Sequence, residues 1–129
     1  MLKGLVAASA VVAVLASAAA APAQLADKKV DDGGHLVYLQ RIDETQAGSI
    51  DVAIGKARTS VLFKRPSKAL EDAVAAGRNA ILAIPHALPL QGGLPIVVDG
   101  KVIGAVGVSG VTSAQDEQVA KAGIDALGK

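Results

Sequence analysis

Apolar residues are densest in two places: an N-terminal run, GLVAASAVVAVLASAAAA at residues 4–21, and a later pair of β-rich runs, Leu94 to Val98 and Val102 to Ser109. The later pair is joined by Asp99-Gly100, which supplies the positive φ angles of a tight I′ turn, so the spacing predicts a β-hairpin. Neither arm alternates between apolar and polar positions. Both faces are therefore expected to be covered, one by helices and the other by helices or a second subunit, with the hairpin at the centre of a sheet. One face of the second arm reads Ile103, Ala105 and Gly107, and the other Gly104, Val106 and Val108. The missing side chains let a packed helix or a ligand come close.

Upstream, Asp31-Asp32-Gly33-Gly34 predicts a turn, and His35 to Ile42 predicts a strand with Leu36, Tyr38 and Gln40 on one face. A Gly-Gly turn before a strand implies a hairpin with an earlier strand, for which only Val30 and its charged neighbours stand nearby. Ser49 is placed to cap a helix running to about Phe63, with Ile50, Ala53, Ile54, Ala57 and Val61 inward. Pro66 ends that helix. Ser67 then opens a shorter one through Gly77, and Asn79 to Ile84 is a strand or a helical turn. Pro85 to Gly93 predicts a loop, stiffened by prolines and loosened by glycines, of the kind that often carries a ligand beside a buried strand. Thr112 with Gln115, or Ser113 with Asp116, forms a capping box for a last helix burying Val119, Ala120, Gly123, Ile124 and Leu127.

The N-terminal run follows Lys3, a short basic region, and ends at Ala21-Pro22-Ala23, an A-x-A cleavage signal. Residues 1–23 are accordingly expected to be a secretory signal peptide. The mature domain, residues 24–129, would then work in the periplasm or outside the cell, with no stable membrane span after cleavage. An uncleaved anchor is the alternative, since about 20 residues can cross a bilayer.

Composition narrows the chemistry. Cysteine is absent, which excludes disulfides, thiolate metal sites and thiol catalysis. Tyr38 and Phe63 are the only aromatic residues, too few to stack bases. Beyond residue 23 the chain has 12 basic and 12 acidic residues, which leaves no electrostatic footprint for nucleic acid or an anionic membrane. The glycines of Gly104 to Gly110 have the wrong intervals for a dinucleotide fingerprint and lie on a hairpin rather than at a strand-to-helix crossover.

His35 and His86 are the only histidines and the best candidate ligands for a metal or a haem iron. His35 stands at a strand entrance, where a simple hydrogen bond is the alternative. His86 sits in the Pro/Gly loop, which can present an imidazole to a pocket. Lys56, Arg58 and Arg65 are candidates to receive carboxylates or propionates, the alternative being a solvated helix face.

The series DDGGHLVYLQRID, SIDVAIGKARTSVLFKRPSKALEDA, LPLQGGLPIVVDGKVIGAVGVSG and TSAQDEQVAKAGIDAL resembles the GlcG/HbpS-like family of small haem-binding or haem-degrading domains, over about Val30 to Leu127. The resemblance implies an α/β (α+β), profilin-like fold, a largely antiparallel five-stranded sheet flanked by helices, and assembly into homo-oligomers. It implies haem as the ligand of several members, with a small carboxylic acid such as glycolate as the alternative, and leaves the activity of many members unsettled, so that this chain is expected to be non-enzymatic or only weakly catalytic. Carried over by motif, the DGGH turn, the KAR segment and the GGLPI loop suggest Asp32, Gly33, Gly34, His35, Lys56, Arg58, Gly92, Gly93 and Pro95 as pocket residues. Relatives place a helix and a strand before the DGG turn, and this chain is expected to lack both.

Overall fold

The computed structural model describes the backbone of residues 12–16 and, in full, residues 32–127. The elements are β1 (Val12–Ala16), β2 (Leu36–Arg41), α1 (Gly48–Phe63), α2 (Lys68–Ala75), a 3-10 turn at Asn79–Ala83, β3 (Gly93–Val98), β4 (Lys101–Ser109) and α3 (Ser113–Leu127). The four described strands form one sheet in the order β2-β1-β4-β3, and every pairing among them is antiparallel. Helices lie on both faces. This is the mixed α/β architecture that the patterning and the resemblance implied, a small antiparallel sheet flanked by helices.

The hairpin of β3 and β4 turns on Asp99 and Gly100, whose φ angles of 50° and 75° are those a I′ turn demands. Both faces of β4 are covered, by α1 on one side and α3 on the other. The hairpin is not central, however: among the described strands β4 lies inside the sheet, while β3 forms its edge and leaves Val97 exposed. The register slips between Ile96 and Val97, so the alternation of β4 does not run through its length. Ala105 joins Ala57 and Val61 of α1, and Val106 and Val108 pack with Ala120 of α3. Below the irregularity Val102 goes to the α1 side and Ile103 to the α3 side, the reverse of simple alternation, because an extra residue shifts every side chain before it to the other face.

Close approach explains why α1 is not the amphipathic helix its apolar residues suggested. A Cβ at Gly107 would overlap the Ala53 carbonyl oxygen, and one at Gly93 the Lys56 carbonyl oxygen. The helix backbone therefore lies against bare strand, and small residues line the contact. Ala53, Ala57 and Val61 are buried as expected, but so are Ser49, Lys56, Thr59 and Ser60, while Ile50 and Ile54 stay half-buried. α3 sits more shallowly than expected. Ala120 and Asp116 are buried, Ile124 and Leu127 are half-buried, and Val119 and Gly123 are exposed.

The strand missing beside the Gly-Gly turn comes from an unexpected place. β2 pairs with β1, and β1 is five residues of the N-terminal apolar run. Cα partners run from Val12 with Arg41 to Ala16 with Leu36 on one side, and from Val12 with Ser109 to Ala16 with Ala105 on the other. A strand thus does precede the turn, where none was expected. The remainder of residues 1–23, and any first helix, fall outside the described residues.

Candidate functional site

Three separate stretches meet at one cleft. It is lined by Gly33, Gly34 and His35 from the turn before β2, Arg58 and Leu62 from α1, and His86 from the loop after the 3-10 turn, and its volume is about 230 Å³. Arg58 Nε donates to the Gly34 carbonyl oxygen at 3.1 Å, which ties the turn to the helix and fixes the guanidinium between the two histidines' segments. His35 and His86 are both exposed, and Arg58 is half-buried. Two larger hollows, of about 340 and 350 Å³, border α3, and neither contains a histidine or an arginine.

The loop that carries His86 is held from below by Thr59, which is fully buried. Its hydroxyl donates to the Gly55 carbonyl oxygen at 2.8 Å and accepts the Leu88 N–H at 2.8 Å. The His86 carbonyl oxygen lies 3.4 Å from the same hydroxyl. His86 has a φ of 63°, in the left-handed region where a residue with a Cβ is uncommon, and such positions persist when their surroundings dictate them. Ser67 does similar work for the glycine loop. It caps no N–H of its own helix; its hydroxyl instead donates to Leu90 O at 2.6 Å and accepts the Gly93 N–H at 2.9 Å.

Of the eleven residues singled out in the sequence, the structure brings Gly33, Gly34, His35, Arg58 and His86 together at this cleft, whereas Arg65 is exposed, donates from Nε to the Phe63 carbonyl oxygen at 2.9 Å and is not part of the lining. Asp32 is exposed at the start of the same turn and is not part of the lining. Lys56 must be corrected. Its ammonium is buried, donating to Asp116 Oδ2 at 2.8 Å and Val108 O at 2.9 Å, so it faces the sheet and α3 rather than the cleft. The period of α1 puts Lys56 and Arg58 200° apart, which separates two neighbouring cations to opposite sides. Gly92 and Gly93 back onto Lys56, and Pro95 borders a hollow with Glu117 and Lys121 on α3, so none of the three lines the cleft.

Asp116 has a different role from the one its position suggested. The capping box at the start of α3 is Thr112 with Gln115, each accepting the other's N–H at 3.3 Å. Asp116 instead accepts from the Val111 N–H at 3.1 Å and holds Lys56. Thr59, Ser67 and Asp116 were missed as positioning residues.

The model of the family described as haem degrading protein HbpS-like matches residues 4–125. Protein GlcG of Escherichia coli is 50% identical over 79 residues, which is 61% of this chain and 59% of GlcG. The chain thus spans less than two thirds of that relative's length. Among solved structures, Klebsiella pneumoniae protein ORFY superposes with a TM-score of 0.78 at 28% identity, covering 98% of this chain and 81% of ORFY. A complex of PduOC with haem superposes with a TM-score of 0.71 at 24% identity, covering 91% of this chain and 78% of PduOC, a likeness of fold.

Proposed function

The chain belongs to the HbpS-like family, and on that premise we propose that it is an exported haem-handling protein that binds haem at the cleft of His35, Arg58 and His86. The observation that carries this reading is the meeting of two imidazoles and a guanidinium from three distant stretches at one opening. The donor set fits the group: a neutral imidazole ligates haem iron, and a guanidinium takes a propionate by charge-assisted hydrogen bonds. His86 or His35 would hold the iron and Arg58 a propionate. A bound iron would supply the redox and ligand-binding chemistry. The chain's part is to orient the macrocycle, so the protein is expected to carry or sense haem rather than turn it over.

Small-molecule pockets commonly measure about 300–1,000 Å³. At about 230 Å³ the cleft admits an edge of a macrocycle and leaves the rest outside, against solvent or a second copy of the chain in a homo-oligomer. The same dimension favours a second reading, a small hydroxy- or oxo-acid with its carboxylate on Arg58. Among the described residues no helix is long and apolar enough to cross a membrane. Export is inferred from Lys3, the apolar run and Ala21-Pro22-Ala23.

Titrating hemin into the purified full chain tests the proposal. Saturable binding with a shifted Soret band, weakened by His86→Ala or His35→Ala and by Arg58→Ala, supports it. Thermal stabilisation by glycolate and none by hemin would transfer the cleft to the small acid. A Soret spectrum indifferent to both histidine substitutions would remove the iron-ligand assignment.

A further inference from the structure

The strand β1 is built from the segment whose sequence reads as a removable leader. Cleavage between Ala23 and Gln24 would take Val12–Ala16 with it. Among the described strands β2 has no neighbour but β1, and β1 also pairs with five consecutive residues of β4, Ala105 to Ser109, all of them buried. Without β1 those residues of β4 would lose a row of backbone partners at a buried position, where unpaired N–H and C=O groups are costly. β2 would become a lone strand separated from β4 by the width of two ladder spacings, about 9–10 Å.

We propose that residues 12–16 remain part of the folded molecule, so that the apolar N-terminal run acts as a structural strand in the working protein and not as a discarded leader. The dependence extends to the cleft. His35 immediately precedes β2, and the Gly33-Gly34 wall is held to α1 through Arg58, while the other end of its segment, β2, is paired with β1 and touches α1 through Leu39. Retaining the strand fixes both ends of that wall. An export signal can be recognised and still not be cut, since targeting reads the charge and hydropathy of the run whereas cleavage also requires access to the Ala21-Pro22-Ala23 site.

Two measurements on the full-length gene product test this without any ligand, so they stand or fall apart from the haem reading. The first is the intact mass of the folded protein recovered from the exporting cell. A mass that includes residues 12–16 is expected, and a folded molecule beginning at Gln24 would overturn the proposal. The second compares Val14→Pro with Val14→Thr. Val14 sits mid-strand, opposite Leu39 and Gly107, where a proline removes a ladder donor and a β-branched threonine does not. The proline variant is expected to melt about 10 °C or more below the threonine variant, or not to fold at all. Identical melting of the two variants would show that residue 14 is not in the folded protein, and the mass of the unaltered chain decides the matter if the proline variant cannot be recovered.

Discussion

The two halves of the sheet are built to opposite tolerances. Around β4 the helix α1 lies directly on strand backbone, Ala105 and Val108 are fully buried, and even a lysine has been taken inside. Around β2 nearly everything is open: Leu36, Val37 and Tyr38 are 43%, 46% and 52% exposed, and only Leu39 packs against α1. The difference shows how a chain with two aromatic residues makes a core. Lacking large side chains to fill space, it brings backbones together and lets many short contacts add up, which stabilises the β4 half and makes it intolerant of added volume. The cleft lies toward the open half, where loops can reach it.

Substitutions should separate the two halves sharply. The largest effect is expected at Gly107. A valine there has no room above the Ala53 carbonyl, so the variant should lose more than about 3 kcal/mol in urea unfolding, at the upper end of what overpacking costs. Next comes Lys56→Met, which leaves Asp116 buried with its partner gone and should cost about 3–5 kcal/mol. Pairing it with Asp116→Leu should recover a substantial part of that loss, and a double variant no better than the single would argue against an isolated charge as the cause. At the cleft, Arg58→Ala should weaken hemin uptake by about 10-fold or more, the worth of a charge-assisted hydrogen bond, a change that spectral titration would read directly. On the open half, Tyr38→Ser is expected to move stability by no more than about 0.5 kcal/mol by thermal or urea melting, as for a surface site.

The smallest effect sharpens the contrast between two lysine–aspartate pairs. Lys68 and Asp72 lie at the surface, 2.6 Å apart on α2, whereas Lys56 and Asp116 are buried. The hydrogen bond to Asp72, with help from nearby carboxylates, holds the Lys68 ammonium above its ordinary pKa. Any stability this pair contributes is therefore complete below the ordinary lysine value and lost as pH rises through the raised one. Melting curves of the parent and Asp72→Asn should differ little at neutral pH and converge at strongly alkaline pH. A difference that widened there would contradict the assignment.

Much of this was legible in the chain. Asp99-Gly100 specified its hairpin, Thr112 and Gln115 specified the start of α3, and the two histidines and Arg58 were separately marked before the structure brought them to one cleft. What could not be read depended on approach distance and on long-range pairing. The inward turn of Lys56 and Ser60 follows from Gly92 and Gly93, and that of Thr59 from the loop at His86 and Leu88, and no local period in α1 reports these distant partners. The shift of Ile103 follows from one irregular step opposite Ile96, invisible to alternation. The role of residues 12–16 was obscured because an apolar, alanine-rich run satisfies the requirements of a leader and of a buried strand equally well.

The placement of β1 also has a kinetic side. Its neighbours on one flank, residues 105–109, are made about 90 residues after residues 12–16. Pairings of such long sequence separation form slowly, because the intervening chain must be closed into a loop before the contact repays it. Until β4 is made the first strand waits without that partner, and if the run serves as the export signal proposed above, that wait is the interval in which an export apparatus could capture the chain before folding withdraws the segment into the sheet.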